Sequence, residues 1–310
     1  MIKVLKSTES GLQIINEITD GSWLNVIAPN TDEVACLHQE LGIPRDFLTY
    51  PLDIDERART EREDGATLII LRIPYFQGET TDIPYTTVPL GIVLTDRVVV
   101  TACKIEDSIT EGFVAGRVRD LHTGKRNRFV LQLFYRVALE YLSHLREINS
   151  AVEQLEDQLQ RSLRNEELLE LLKYQKSLVY FATALRSNEL MIERLQKSQL
   201  FQTYPEDADL LEDVLTENQQ AIEMVGIANN ILSQMMDAFA SIISNNLNVV
   251  MKFLTSVTIV LSFPTMIASL YGMNVGLPLQ NSPYAFALII AACLVTSLVI
   301  VLIFWKRDWF

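Results

Sequence analysis

The nineteen-residue run "FLTSVTIVLSFPTMIASLY", residues 253–271, contains no charged side chain. A second uncharged run of twenty-two residues, "YAFALIIAACLVTSLVIVLIFW", occupies residues 284–305. A helix rises about 1.5 Å per residue, so each run is long enough to cross a hydrocarbon core of about 30 Å. The sequence therefore predicts a membrane protein with two C-terminal spans and a large soluble part in front of them.

Charges at the ends of the two runs predict the orientation. Lys252 precedes the first run, Lys306 and Arg307 follow the second, and the connecting stretch "VGLPLQNSPYAF" carries no charge. By the positive-inside rule, both termini are cytoplasmic and the short loop is outside. Since the N-terminus does not resemble a signal peptide, we expect a two-pass protein of the plasma (inner) membrane.

The soluble part, residues 1–248, is acidic, with 38 of the 39 Asp and Glu residues but 23 of the 26 Lys and Arg residues. This charge argues against nucleic acid as a partner and suits a domain that meets cations, although ordinary solubility explains it equally well. Cys36, Cys103 and Cys293 are dispersed, as are the three histidines. No disulfide framework, zinc site or catalytic constellation is expected, and no enzymatic activity is predicted.

Residues 1–122 have the pattern of an α/β sandwich. The stretches "ATLIILRIPYF" and "TTVPLGIVLTDRVVVTACK" are rich in β-branched residues, which is typical of strands. Between the strands, "NTDEVACLHQELGIP" begins with a capping residue and ends at Gly-Ile-Pro, which predicts a helix.

Residues 123–205 are expected to form an antiparallel helical hairpin, with helices at about 127–163 and 165–199, because apolar residues recur every three or four positions. The turn, proline and acidic residues of "TYPEDADLLEDVL" predict a further helix start, and no proline follows before Pro264. One helix is therefore expected from Glu206 to Tyr271, comprising a cytoplasmic stalk (206–248) and the first span (249–271). An outer loop (272–283), the second span (284–305) and a basic tail (306–310) complete the chain.

A polar seam follows the long helix. Steps of four and three residues in alternation reach ten positions, of which nine are polar: Asp237, Ser241, Ser244, Asn248, Met251, Thr255, Thr258, Ser262, Thr265 and Ser269. A 3.5-residue period keeps one stripe facing a common axis in a left-handed bundle. Small hydroxyl residues can line close helix–helix contacts, or the stripe can face a water-filled pore. The acidic start and the amide at the end of the seam favour a pore, which several copies must surround because two spans cannot enclose a conduit.

The motif Tyr271-Gly272-Met273-Asn274 lies between the first span and the short loop, in a chain with two C-terminal spans and the tail "WKRDWF". With the stretches "LDIDERARTEREDGATLIILRIPY" and "TTVPLGIVLTDRVVVT", these features give a chain that resembles the CorA family of divalent-cation channels and transporters. The resemblance implies a funnel-shaped homopentamer in the lipid bilayer, with Gly272, Met273 and Asn274 as the outer selectivity filter. Mg²⁺ keeps several of its waters, and five neutral Asn274 amides would hold the hydrated ion weakly enough to release it. Capping of the helix C-terminus is the structural alternative for Asn274.

The resemblance also implies roles further along the helix. Met251 and Leu254 would form the hydrophobic gate, with Asn248 as a polar ring and Asp237 as a charged ring in the inner vestibule. Core packing of the stalk is the structural alternative for Met251 and Leu254. Thr265 and Ser269 would offer hydroxyl rings to the water shell of the ion, and Thr258 and Ser262 would also line the pore.

Regulation through cytoplasmic Mg²⁺ is implied at Asp213, although an exposed helix carboxylate is an equal explanation. Its partner acids in relatives correspond roughly to Thr49 and Tyr50 here, so Asp46 or Asp53 is the substitute. The outer loop also departs from the family, because no carboxylate occurs between residues 272 and 305. A fixed negative ring at the entrance is therefore missing.

The leading interpretation is a passive Mg²⁺ channel, driven by the membrane potential, with some tolerance for Co²⁺ or Ni²⁺. A Zn²⁺ transporter of the same superfamily is the first alternative, against which Met273 argues. A membrane-anchored helical scaffold or sensor is the second, and it would require neither the polar seam nor the glycine-amide end of the span.

Overall fold

The computed structural model describes residues 1–9, 11–161, 165–198, 205–279, 282–307 and 309. The chain divides into two compact units, Met1–Gln234 and Met235–Phe310.

A seven-stranded sheet forms the centre of the first unit. Its strands are β1 (Ile2–Thr8), β2 (Gly11–Ile15), β3 (Trp23–Ile27), β4 (Arg59–Glu63), β5 (Ala66–Phe76), β6 (Tyr85–Leu94) and β7 (Val99–Cys103). The spatial order is β2-β1-β3-β7-β6-β5-β4. Every neighbouring pair is antiparallel except β3 and β7, which run parallel with Trp23 opposite Val99.

Besides the first part of the long helix described below, five α-helices lie among the described residues of this unit: α1 (Thr31–Leu41), α2 (Arg45–Thr49), α3 (Ser108–Val114), α4 (Arg126–Arg161) and α5 (Asn165–Lys197). The predicted helix after Asn30 begins with a capping box, in which the Asn30 side chain accepts the Glu33 N–H at 2.8 Å and the Glu33 carboxylate accepts the Asn30 N–H at 2.9 Å. Gly42 ends that helix at a φ of 67°. The hairpin helices were expected to end at Leu163 and Gln199, which lie outside the described residues.

Helices cover both faces of the sheet. On one face, Leu24 and Val26 of β3 share a buried core with Val34 and Leu37 of α1. On the other, the Trp23 ring lies 6.1 Å from that of Phe113 in α3 and 5.1 Å from that of Phe129 in α4, between ring centroids. Successive strand residues point to opposite faces, so a strand that is apolar throughout is buried on both sides. The predicted α/β architecture is confirmed.

Two further helices dominate the C-terminal part of the chain. Helix α6 (Pro205–Tyr271) has 67 residues, and α7 (Ala285–Lys306) has 22. Both are long and apolar enough to cross a membrane. The predicted long helix therefore exists with nearly the expected bounds, although the turn before it, Thr203 and Tyr204, lies outside the described residues.

Candidate functional site

In the single chain, the polar seam of α6 is uncovered along its whole length. All ten of its positions, from Asp237 to Ser269, are exposed in the single chain. The apolar members of the predicted gate are also exposed, Met251 by 52% and Leu254 by 57%. Within one chain, no described residue covers this face, so the residues that would cover it must come from outside the chain.

The shielded side of α6 carries Ser256, which is fully buried, and the half-buried Val260, Pro264 and Ile267. Helix α7 lies on this side, because the Cys293 thiol is 3.8 Å from the Pro264 carbonyl oxygen. At 3.6 residues per turn, this stripe lies about half a turn away from the polar seam. The chain's own second apolar helix therefore leaves the polar face open.

Hydroxyl groups on the polar face donate their protons back to the helix. Thr258 bonds the Leu254 carbonyl at 2.8 Å, and Ser262 bonds the Thr258 carbonyl at 2.7 Å. Thr265 donates to the Leu261 carbonyl at 2.7 Å. Since each hydroxyl has one proton and two lone pairs, its proton is used within the helix and its oxygen remains an acceptor. This stretch of α6 therefore offers a row of neutral acceptor oxygens.

The structure brings four of the predicted pore-lining residues together in one open groove with two residues that were not predicted: Thr258, Leu261, Ser262, Thr265, Met266 and Ser269. Leu261 and Met266 were missed because the seam was defined by polarity. Helical spacing alone could have found them, since Leu261 lies three residues after Thr258 and four before Thr265. The remaining predicted positions, Asp237, Asn248, Met251 and Leu254, lie earlier on α6 and do not line this groove.

Backbone hydrogen bonds satisfy carbonyl groups in the last turn of α6. The Gly272 N–H donates to the carbonyls of Ala268 at 3.0 Å and Ser269 at 3.2 Å, and the Met273 N–H donates to the Leu270 carbonyl at 3.3 Å. The Asn274 side chain is exposed and makes no hydrogen bond with any residue that the structure describes. These contacts do not support the helix-cap alternative, and they leave the Asn274 amide available to a ligand.

Gly272 is not required by the conformation of one chain. Its φ is not in the left-handed region, and an added Cβ would lie 3.4 Å from the Ser269 carbonyl oxygen and 3.5 Å from that of Ala268. Those are ordinary van der Waals distances, so alanine fits here within the single chain.

Helix α7 exposes apolar side chains over most of its surface. None of its residues is buried, and Phe286, Leu294 and Trp305 are exposed by 67% to 77%. An apolar surface of this extent marks a contact with lipid or with another apolar surface. After the helix, the Trp309 ring stacks on that of Phe304 with centroids 5.1 Å apart. Asp308 and Phe310 of the predicted tail lie outside the described residues, as do Gln280 and Asn281 of the outer loop.

The predicted regulatory carboxylates are exposed on the first unit. Asp213 lies on α6, Asp46 lies in the first turn of α2, and Asp53 follows a single 3-10 turn (Tyr50–Leu52). The Asp53 carboxylate accepts the Asp55 N–H at 3.1 Å. No group of three or more His, Cys, Asp or Glu side chains able to hold a metal ion occurs among the described residues of the single chain.

The turn that carries Asp53 is held firmly against the sheet. Gly91 of β6 makes room for the Pro51 ring, because a Cβ at Gly91 would lie 2.1 Å from Pro51 Cγ. Just beyond Asp53, the Arg72 guanidinium donates to the carbonyls of Ile54 and Glu56, and also to Thr87. The position of the Asp53 backbone is therefore determined by the folded domain.

Known proteins match both the soluble domain and the two C-terminal helices of this chain. Residues 19–307 match the family described as CorA-like Mg²⁺ transporter protein. A cobalt/magnesium transport protein CorA from Methanocaldococcus jannaschii is 31% identical over 297 residues, which are 93% of this chain and 90% of that relative. A protein of the same description from Thermotoga maritima is 23% identical over 296 residues, 93% of this chain and 83% of that relative.

A solved structure agrees with these sequence matches. The complete CorA magnesium transporter from Methanocaldococcus jannaschii superimposes with a TM-score of 0.87 at 26% identity, over 100% of this chain and 99% of that chain. The match includes the soluble domain, α6 and α7. The chain therefore belongs to the CorA family of Mg²⁺ transporter proteins.

Proposed function

We propose that this chain forms a homopentameric channel that passes hydrated Mg²⁺ passively across the plasma (inner) membrane, with α6 lining the path. The observation that carries the proposal is the exposed polar face of α6, opposite α7, which leads to the Asn274 amide, a group with no hydrogen-bond partner among the described residues. Family membership agrees, since the relatives from Methanocaldococcus jannaschii and Thermotoga maritima are described as cobalt/magnesium transport proteins. Five copies would surround one funnel-shaped path, with α7 toward the lipid.

The hydroxyl chemistry of α6 suits a hydrated cation. Water molecules bound to a cation turn their hydrogens outward and therefore present donors. Thr258, Ser262 and Thr265 already donate to backbone carbonyls at 2.7–2.8 Å, so their oxygens face outward as acceptors. A row of neutral acceptors can hold the water shell without stripping it, as Mg²⁺ requires.

Asn274 would form the outer selectivity filter with Gly272 and Met273. Five amide oxygens would accept hydrogen bonds from the waters bound to the ion. Because they are neutral, they would release the ion more readily than a ring of carboxylates would. Gly272 has no conformational need for glycine in one chain, so its role would be to admit close approach between neighbouring copies. Because the outer loop contains no carboxylate, selection between different cations would depend on the Asn274 ring.

Gating would occur at Met251 and Leu254, which are apolar and exposed near the inner end of the span. Five copies of each would make a constriction that closes by dewetting. Asn248 would add a polar ring beside it, and Asp237 would add a ring of negative charge that attracts cations from the inner vestibule.

Cytoplasmic Mg²⁺ would regulate the channel through Asp213 of one copy and Asp53, or Asp46, of the next. All three carboxylates are exposed, and the Asp53 turn is fixed to the sheet through Pro51 and Arg72. Two carboxylates brought together across an interface repel one another, and a divalent cation between them would relieve that repulsion.

Orientation follows from Lys252, Lys306 and Arg307, which would keep both termini and the domains at 1–122, 123–205 and 206–248 in the cytoplasm. The spans would be 249–271 and 284–305, with the outer loop at 272–283. At −100 mV the membrane potential contributes about 4.6 kcal/mol to the inward movement of a divalent ion. No further energy source is required for uptake.

The test is ion influx into proteoliposomes that hold the purified full chain, at an imposed potential of −100 mV, with Mg²⁺, Co²⁺, Ni²⁺ and Zn²⁺ in separate arms. We expect potential-dependent Mg²⁺ influx, weaker Co²⁺ and Ni²⁺ influx, and loss of Mg²⁺ influx in Asn274→Ala. Influx of Zn²⁺ in preference to Mg²⁺ would assign the chain to the zinc-transporting alternative. No influx of any ion would favour the scaffold or sensor. Full Mg²⁺ influx through Asn274→Ala would refute the proposal that Asn274 forms the selectivity filter. Cross-linking of the native assembly should reach five copies and stop there.

A further inference from the structure

A basic region lies in the first unit. Residues 117–128 hold five Arg or Lys side chains and one carboxylate, in a soluble part that is acidic as a whole. Four residues of this stretch, His122, Thr123, Gly124 and Lys125, form one wall of a pocket of about 290 Å³. The proposed channel does not use this pocket.

The opposite wall comes from β1 and from the turn before β3, and it adds a second ammonium group. Lys6 donates to the Thr19 hydroxyl at 3.0 Å, which leaves two of its three N–H groups. The one carboxylate in the lining, Asp20, pairs with Arg97 at 2.7 Å, so its charge is already compensated. The side chains of His122 and Lys125 make no hydrogen bond or ion pair with any residue in the described ranges.

Backbone and hydroxyl contacts fix the two walls relative to each other. The Ser7 N–H donates to the Thr123 hydroxyl at 3.1 Å, and the Thr123 N–H donates to the Ser7 hydroxyl at 3.0 Å. At the same place a Cβ on Gly21 would lie 3.3 Å from Gly124 Cα, and the Gly21 φ of 78° independently favours glycine. The basic groups are therefore presented by a preformed cleft, which reduces the entropy cost of binding.

We propose that this pocket binds the phosphate group of a small anion, either inorganic phosphate or a small phosphate monoester. Two ammonium groups and an imidazole, with a single compensated carboxylate among them, match a compact anion with several acceptor oxygens. The volume lies just below the range of about 300–1,000 Å³ for small-molecule sites, so a dinucleotide is too large. Helix α4 begins directly after Lys125 without an acidic residue in its first turn, so its positive end adds to the field of the side chains.

The test is calorimetric titration of the full chain in detergent, with EDTA present so that metal–phosphate complexes do not form. Sodium phosphate and glycerol 3-phosphate are the two ligand arms, and sodium chloride and glycerol are their controls. We expect one saturable site per chain in at least one ligand arm. The combined substitution Lys6→Gln and Lys125→Gln should weaken binding at least about tenfold, since two charged contacts are lost.

Lys104→Gln is the matched control, because Lys104 is also exposed but follows β7 at the end remote from Val99 and the pocket. It should bind as the wild type does, and thermal melting should show all variants folded. Tighter binding of the monoester assigns the site to a phosphorylated metabolite, and tighter binding of phosphate assigns it to the free ion. Heats equal to the chloride and glycerol controls, or equal affinity in the double variant and the wild type, would overturn the proposal.

Discussion

Replacement of Thr265 by valine separates an ion path from ordinary helix packing. Thr265 is exposed on the polar face, lines the groove of α6, and donates its proton to the Leu261 carbonyl at 2.7 Å. Valine has nearly the same shape, and the backbone hydrogen bonds of the helix remain. We therefore expect the stability of the assembly to change by no more than about 0.5 kcal/mol, as for surface substitutions generally.

Ion conduction should respond more strongly than stability. The substitution removes one acceptor oxygen per copy, and a hydrogen bond contributes about 1 kcal/mol, which corresponds to about a fivefold change. Mg²⁺ influx at −100 mV should therefore fall about fivefold or more, since an ion on the axis can contact more than one copy.

Thr296→Val is the matched control for this experiment. Thr296 lies on α7, and its hydroxyl is directed at the Ala292 carbonyl at 2.9 Å and the Cys293 carbonyl at 3.0 Å, so its proton is also used within its own helix. Its influx should equal that of the wild type. Equal influx in Thr265→Val and Thr296→Val would refute the reasoning and would assign the hydroxyl seam to helix packing.

Two further predictions concern the soluble domain. Gly91→Ala should lower the free energy of unfolding of the full chain by about 1–3 kcal/mol or more, because its Cβ would overlap the rigid Pro51 ring. Gly112→Ala is the control, since nothing lies within 4 Å of the Cβ that it adds. A similar melting temperature in both variants would contradict the packing of Pro51 on Gly91. Asp107 is buried and accepts hydrogen bonds from Thr110, and burial raises the pKa of its carboxyl group. The stabilising effect of the raised pKa is fully present below about pH 4, the ordinary pKa of an Asp carboxyl group, and is lost as the pH rises through the raised pKa. The melting temperature of Asp107→Asn should therefore rise relative to that of the wild type as the pH is raised from about 4. A difference independent of pH would exclude this account.

The polar face could be predicted from the sequence because helix geometry converts spacing into direction. The 3.5-residue period was sufficient to predict the seam from Asp237 to Ser269. The absence of proline between Pro205 and Pro264 indicated that α6 is one long helix. The family resemblance, carried by residues 271–274, is confirmed by the family match over residues 19–307. The same reasoning missed Leu261 and Met266, because polarity does not mark apolar residues that border a groove.

Contacts between distant parts of the chain could not be predicted in this way. Nothing in the local sequence places Lys6 of β1 across a pocket from Lys125, since the pairing depends on the strand order and on two glycines in contact. The fit of Pro51 over Gly91 likewise depends on the position of β6 in the sheet. Periodicity specifies faces of single elements, whereas sites between elements depend on tertiary packing.

The central claim, that the exposed face of α6 lines a shared ion path, is tested most directly by chemical modification of single cysteines. In a chain whose native cysteines are replaced, Ser269→Cys places a thiol on the polar face, and Ile267→Cys places one on the half-buried side. Mg²⁺ influx is measured before and after a positively charged thiol reagent is added from outside. Modification should block influx through Ser269→Cys and leave Ile267→Cys unaffected. Block of both variants to the same extent, or block of Ile267→Cys alone, would contradict the account.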